Sequence, residues 1–424
     1  MVITEARLSL VRQTEFGLIP IDWQVIPLAK IGPFSKGAGI LKAEANSGSI
    51  PCIRYGEIYT HHHNIIRFFH SYISEDVAKR SKQLKQGDIL FACSGETKQD
   101  IGKCASFLAT NETYAGSDII ILRPENYNST FLGYALNSPT TNKQKSSMGQ
   151  GDAVVHISAN ALKTIHLPCP PTLLEQEAIA EALSDADALV GALEQLLAKK
   201  RQIKQGAMQN LLTGKKRLSN AEDQWKVLKI SEIATIQRGA SPRPIDDPIW
   251  FDENSPIGWV RISDVTKSGM YLDDTTQHLS QFGVKYSRPV AAGSLIMSIC
   301  ATVGRAIITR IETCIHDGFV VFENLKIDQY FLYYKLQALE SEWSKHGQTG
   351  SQMNLNTVLI NSTLLNFPVN SGEQAAIAKI LFNMDTEITA LEAKLSKARQ
   401  LKQAMMQKLL TGQIRLVPPN TEEA

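Results

Sequence analysis

Glu175 to Leu218 reads EQEAIAEALSDADALVGALEQLLAKKRQIKQGAMQNLLTGKKRL, and Glu373 to Leu416 reads EQAAIAKILFNMDTEITALEAKLSKARQLKQAMMQKLLTGQIRL. The two stretches are copies of one segment, 198 positions apart. Arg201-Gln202, Lys204-Gln205, Met208-Gln209 and Leu211-Leu212-Thr213-Gly214 return as Arg399-Gln400, Lys402-Gln403, Met406-Gln407 and Leu409-Leu410-Thr411-Gly412. In the first copy Ile179, Leu183, Ala186, Val190, Leu193 and Leu197 are spaced 4-3-4-3-4, and Ile377, Leu381, Met384, Ile388, Leu391 and Leu395 keep the spacing in the second. That is the heptad seam of a coiled coil. Lys200 interrupts the seam where the second copy has Ala398, and the pattern resumes at Ile203/Leu401, Ala207/Met405 and Leu211/Leu409. Thr172-x-x-Glu175 and Ser371-x-x-Gln374 have capping-box chemistry, and Gly214 and Gly412 suit left-handed helix stops. Each segment is therefore expected to be one helix of about 40 residues.

The duplication continues upstream more loosely. Ile53-Arg54-Tyr55-Gly56-Glu57-Ile58 resembles Val260-Arg261-Ile262-Ser263-Asp264-Val265, and Ile101-Gly102-Lys103 resembles Val303-Gly304-Arg305, with about four extra residues near 96–99 in the first copy. Runs such as Asp118–Leu122 and Gly318–Phe322 read as strands, and Phe331–Gln337 reads as a helix. The fold class expected is α/β in the broad, α+β sense. Two mixed α/β globes occupy 1–172 and 215–372, the spacer helices 173–214 and 373–412, and a tail 413–424. The second globe follows the end of the first helix and feeds the start of the second. If the two seams pack together, the helices must run antiparallel, giving an internal pseudo-two-fold repeat with a spacer of about 60 Å.

Composition limits the function classes. The chain has 424 residues, 43% apolar and 20% charged, enough for large cores and for two to four domains. No run approaches the ~18 apolar residues of a membrane span, and Met1–Arg7 lacks the basic and apolar regions of a secretory leader. Six cysteines without a Cys-x-x-Cys pair read as free thiols of a cytoplasmic protein. The formal charge of +2 excludes a protein that coats nucleic acid by charge alone. Two similar but non-identical heads on a stiff spacer suit a split target, such as two half-sites on duplex DNA. A two-headed coiled-coil adaptor for non-DNA ligands is the alternative reading.

The chain resembles a known family, the specificity subunits of Type I restriction-modification systems. The resemblance runs over nearly the whole length. It rests on Thr14-Glu15-Phe16-Gly17-Leu18-Ile19-Pro20-x-x-Trp23, on Trp225-x-x-x-x-Ile230-x-x-Ile233, and on Pro168-x-Pro170-Pro171 before Glu175-Gln176-x-x-Ile179-Ala180. Pro368 before Glu373-Gln374-x-x-Ile377-Ala378 and the two Leu-Leu-Thr-Gly endings complete it. The second opening lacks the turn that precedes Trp23 in the first. The resemblance implies that each globe is a target-recognition domain for one half of an asymmetric double-stranded DNA site. It implies that the helices dock two methylation subunits, which restriction subunits join. It also implies that S-adenosylmethionine, ATP and Mg serve those partners, with no cofactor in this chain.

Motifs for catalysis are missing from the sequence. An adenine methyltransferase needs a glycine-rich cofactor loop and an Asn/Asp-Pro-Pro-aromatic clamp, yet Pro170-Pro171 is followed by Thr172 and Pro418-Pro419 by Asn420. No phosphate-binding Gly-x-x-x-x-Gly-Lys-Ser/Thr occurs, and no Pro-Asp dipeptide of the common metal nucleases. His61-His62-His63 is a poor metal site, because neighbouring residues alternate in direction and no second ligand spacing supports it. No catalytic and no metal-binding residues are therefore assigned.

DNA reading needs Arg or Lys for phosphates and Arg, Asn or Gln for base edges. Candidates in or beside loops of the first globe are Arg54, Lys98, Gln99, Lys103, Gln150 and His156; in the second they are Arg238, Arg243, Arg261, Arg305, Gln348, Gln352 and Asn354. The pairs Arg54/Arg261 and Lys103/Arg305 recur in both copies and are expected on phosphates. Leu189, Leu196 and Leu212 lie outside the seam and are expected to dock partner helices.

Overall fold

The structure, a computed structural model, describes residues 10–151, 153–218, 224–346 and 355–416. It divides into two compact units, Met1–Glu194 with Lys394–Ala424, and Gln195–Ala393. Each long helix contributes to both.

Unit 1 has a five-stranded sheet in the order Phe34–Lys36, Ile119–Leu122, Ile89–Ala92, Cys104–Phe107 and Asn64–Ile66. All neighbours are antiparallel except the last pair. A second sheet runs Ser71–Ile73, Ile50–Ile53, Tyr114–Ala115 and Lys82–Gln83. Unit 2 repeats both sheets in the same order. The five-stranded sheet runs Thr235–Arg238, Phe319–Glu323, Leu295–Ser298, Ala306–Thr309 and Tyr271–Leu272. The four-stranded one runs Gln277–His278, Gly258–Val260, Thr313–Ile315 and Arg288–Val290. The repeat read from the helices therefore includes the globes, and both are mixed α/β as expected.

The central strands are apolar at nearly every position because both faces of their sheet are covered. Period two sorts their side chains between two cores. Ile89, Phe91, Cys104, Ile120 and Leu122 join Trp23, Phe131 and the long helices on one face, while Leu90, Ala92, Ala105, Ile119 and Ile121 pack on the other. Unit 2 splits in the same way, with Leu295, Met297, Val320 and Phe322 on one side and Ile296, Ile307, Phe319 and Val321 on the other. The six cysteines are free thiols.

Each globe is closed by an antiparallel pair of strands, Gln24–Pro27 with His166–Cys169 and Trp225–Lys229 with Leu364–Pro368. The second strand of each pair leads into a 39-residue helix, Leu173–Leu211 or Ser371–Leu409. In unit 1 the first helix meets the second with residue numbers running in opposite senses. Ile179 and Leu183 share a core with Leu409 and Leu410, and Asp187 pairs with Lys402 and Glu194 with Arg399. In unit 2 the ion pairs are Lys200–Glu387, Arg201–Glu392 and Lys204–Asp385. The helices are antiparallel within each unit.

Of the seam residues, Ile179, Leu183, Leu193, Leu197, Ile377, Leu381, Ile388 and Leu395 are buried, and Val190 and Leu391 half-buried. Of the expected resumption, Ile203 and Leu401 fail, being 46% and 57% exposed with Lys204 and Lys402 turned inward instead, whereas Ala207 and Met405 pack half-buried against the cores and Leu211 and Leu409 are buried. The second cap also differs from expectation. Asn370, not Ser371, accepts from the Gly372 and Glu373 amides at 2.8 and 3.3 Å. Thr172 does cap the first helix, through the Glu175 amide at 3.3 Å. Gly214 and Gly412 adopt φ of +75° and +68°, as the helix stops required. Among the described residues no helix is long and apolar enough to cross a membrane.

Candidate nucleic-acid interface

The shared topology gives residue equivalences that the loose upstream alignment blurs. Ala115 and Ile315 are matched, because each pairs with the residue two before a short helix, Ile53 or Val260. On their other side they pair with Lys82 and Arg288. Lys36 and Arg238 each end the edge strand of a five-stranded sheet and are followed by Gly37 or Gly239. Only glycine fits there, since an added Cβ would lie 2.0 Å from the Gly116 carbonyl oxygen or 2.1 Å from that of His316. Arg54 and Arg261 both precede a short helix and donate a backbone N–H to a buried acid three residues on, Glu57 at 3.4 Å or Asp264 at 2.9 Å. Lys103 and Arg305 follow glycines with φ of +70° and +86° and enter equivalent strands. The two units thus share four basic positions: Lys36/Arg238, Arg54/Arg261, Lys82/Arg288 and Lys103/Arg305.

In unit 2 three of the expected arginines gather. Arg238 Nε donates to the Asp317 carbonyl at 2.7 Å, and Arg243 Nη2 to the Asp317 carboxylate at 3.0 Å, which also accepts from Ser241 Oγ at 2.7 Å. Burial works to raise the Asp317 carboxyl, but Ser241 and the Arg243, His316 and Arg238 charges outweigh it and hold it below the usual range. Arg261 donates to Gln277 Oε1 at 2.7 Å and lies over Trp259, whose ring faces His316. Arg288 reaches the Arg238 carbonyl and Gln237 Oε1, each at 2.5 Å. Asp317 thus holds Arg243 through its carboxylate and Arg238 through its carbonyl, while Gln277 holds Arg261 and the Arg238 carbonyl and Gln237 hold Arg288. Arg305 stands apart, 3.8 Å from Glu340 on the helix Gln329–His346. Gln348, Gln352 and Asn354 lie outside the described residues.

In unit 1 Arg54 Nε is held by Glu57 at 3.3 Å and Ser71 Oγ at 3.2 Å. Lys103 donates to the Tyr59 carbonyl at 3.0 Å beside His63 Nδ1 at 3.2 Å, and burial lowers its pKa. The remaining candidates share a different edge. The strand Ser94–Gly95 leads into the exposed turn carrying Lys98 and Gln99, and it pairs with Val155–His156. His156 exchanges two backbone bonds with Gln150, at 2.9 and 2.8 Å, and its Nδ1 is 3.0 Å from Ser94 Oγ. Gln150 and His156 are therefore held together on the strand pair that leads to Lys98 and Gln99.

His62 is buried with neither ring nitrogen hydrogen-bonded, its Nε2 4.0 Å from Glu57 Oε2, and burial, followed by its histidine neighbours and Lys103, brings its pKa down to about 4. His61 stacks on His70 at 3.7 Å. Among the described residues no group of three or more His, Cys, Asp or Glu side chains is placed to hold a metal ion.

Lys36, Lys82 and Arg288 escaped the sequence reading. For the first a signal existed, since Lys36-Gly37-Ala38 and Arg238-Gly239-Ala240 are the same basic-Gly-Ala triplet. One docking residue needs correction. Leu212 is 1% exposed and belongs to the core of unit 2, because the helix has ended and the turn folds it inward. Leu189 and Leu196 are exposed, and so is Ile203, seven residues further along the same helix.

Comparison with known proteins adds an independent line. The family pattern described as "Type I restriction modification DNA specificity domain" matches residues 20–205 and again 222–399. The chain is 27% identical over 426 residues to the putative type I restriction enzyme MjaX specificity subunit of Methanocaldococcus jannaschii, covering 96% of each chain. It is 24% identical over 432 residues to the MjaVIII specificity subunit of the same organism, covering 94% of each. The fold is similar to the crystal structure of the Type-I restriction-modification system S subunit from M. genitalium, with a TM-score of 0.62 at 15% identity over 92% of this chain and 96% of that one.

Proposed function

The chain belongs to the type I restriction-modification DNA specificity family, and from that premise we propose that it is the non-catalytic, DNA-reading subunit of such a complex. Each unit reads one half of a bipartite, asymmetric site on duplex DNA. The helices set the gap between the halves, each rising about 58 Å at 1.5 Å per residue. Their exposed Leu189 and Leu196 dock methylation subunits. Those partners, and restriction subunits that join them, bring S-adenosylmethionine, ATP and Mg to methylation of adenine or to cleavage.

The observation that carries this reading is the set of four matched basic positions whose neighbours differ between the units. Phosphate contacts fix register on any duplex, so they can be shared; base contacts carry the sequence information, so they must diverge. The globes' near-neutral balance fits a head that binds weakly alone and tightly within a complex. Residues 1–172 hold 17 basic and 14 acidic side chains, and 215–372 hold 16 of each.

The test uses the chain co-expressed with its methylation subunit. Adenine methylation mapped across a host genome should fall on a split motif, modified on opposite strands in its two halves. Arg261→Ala should weaken binding to all duplexes and reduce the slope of log K against log salt by about one unit. A change confined to base preference would overturn the role of Arg261. Absence of new methylation from a folded, assembled complex would overturn the reading.

A further inference from the structure

The short helices Glu75–Lys79 and Gln281–Lys285 are equivalent, each following a serine, Ser74 or Ser280, and each leading to the matched base, Lys82 or Arg288. Their chemistry is opposite. Unit 1 has Asp76 and Arg80, the first paired with Lys79 and the second with Glu44. Unit 2 has Phe282 and Tyr286 at those places. Phe282 lies flat on Trp250, with ring centroids 5.1 Å apart and planes at 10°, and Tyr286 closes on both rings at 5.1 and 5.3 Å. Phe282 is 41% and Tyr286 53% exposed, so the stack presents aromatic surface to solvent.

The stack is tied into the arginine patch. Trp250 Nε1 donates to the Pro244 carbonyl at 2.7 Å, next to Arg243, and Ser287 Oγ donates to the Ala240 carbonyl at 2.9 Å, two residues after Arg238. A stiff apolar platform beside Arg238, Arg243 and Arg288 suits a polyanion that also shows an apolar group. On the major-groove edge of duplex DNA that group is the thymine C5-methyl. Asp246, Asp247, Asp252 and Glu253 belong to the same loop as Trp250. Their charge makes the platform itself a poor phosphate site and leaves phosphate attraction to the arginines.

We propose that Phe282 and Tyr286 read an A·T pair in the half-site of unit 2 by packing on the thymine methyl. The proposal rests on the DNA-reading role above. It makes the helix Gln281–Lys285 a specificity element, and the equivalent helix of unit 1, with its charged residues, a reader of a different base pair.

The assembled complex bound to its mapped motif tests this. Each thymine of the motif is replaced in turn by deoxyuridine, which removes only the methyl. One replacement should weaken binding by about fourfold, the worth of one buried methyl-sized group. The same replacement should have no effect on the Phe282→Ala/Tyr286→Ala complex, whose motif relaxes at that pair. Because the uracil changes the DNA and not the protein, misfolding cannot imitate the wild-type effect. If every replacement is neutral, or equally costly in wild type and variant, the platform does not read thymine. A complex that reads no motif at all would instead remove the premise.

Discussion

Arg415 and Arg217 hold equivalent places three residues after the glycines that stop the two long helices. Arg415 forks onto Glu175, with Nη2 2.6 Å from Oε2, reaches Asp22 at 3.0 Å and lies over Trp23. Arg217 forks onto Glu373 at 2.8 Å and lies over Trp225. Glu175 is buried, and burial pushes its carboxyl above the usual range against the pull of Arg415. Arg415→Ala would leave that carboxylate buried without its cation, a loss of about 3 kcal/mol. Urea unfolding of the full chain checks the value, and Arg415→Lys should recover part of it, keeping the charge but not the planar fork. Both arginines stand in the duplicated segment, yet nothing local marks them, because each partner lies far away in the chain. The Glu-Gln dipeptides show the same limit. Gln374 reads as the third residue of a capping box, but Gln374 and its counterpart Gln176 accept instead from the Asp328 and Asn128 amides at 2.7 and 2.9 Å, joining helix to globe.

At the scale of elements the heptads were legible because burial along a helix follows a short period that one chain displays in full. Eight of the twelve seam residues read before the interruption are buried, and Ala186, Val190, Met384 and Leu391 are half-buried. The pattern misled at Ile203 and Leu401, where Lys204 and Lys402 take over the contact. Strand order was not legible, since pairing joins partners as far apart as Gln24 and Cys169. Loop candidates suffered most for that reason: Arg238, Arg243 and Arg261 come together only through the sheets, and Arg288 joins them at a strand start that no periodicity marks. The helices also give a prediction with two arms. Leu183→Ala removes a fully buried side chain and should cost about 3 kcal/mol in chemical unfolding. Leu189→Ser changes an exposed position and should leave stability within about 0.5 kcal/mol. If Leu189 docks a methylation subunit, that variant should lower the affinity of the partner, measured by calorimetry. Unchanged affinity would remove Leu189 from the docking face.

The whole molecule has two principal cores, and each draws on both ends of the repeat. The unit 1 core takes Leu409 and Leu410 from the second helix, and the unit 2 core takes Leu211 and Leu212 from the first. The antiparallel return of the second helix, read from the duplication, implies this in outline. A chain stopped after residue 393 should therefore keep unit 2 and lose unit 1. Hydrogen exchange would show protected amides in 295–298 and 319–323 and unprotected ones in 89–92 and 119–122, and equal protection in both would contradict the division. The interleaving also bears on manufacture. A ribosome adds about 5–20 residues per second, and domains generally fold as they emerge, the N-terminal one first. Here Met1–Glu194 emerges first but lacks Lys394–Ala424, so it waits about 10–40 s while some two hundred further residues are made. Gln195–Ala393, continuous in sequence, can close meanwhile. The nascent chain thus carries its first-made sheet unfinished until Lys394 and the residues after it emerge, and their arrival determines when that sheet is sealed.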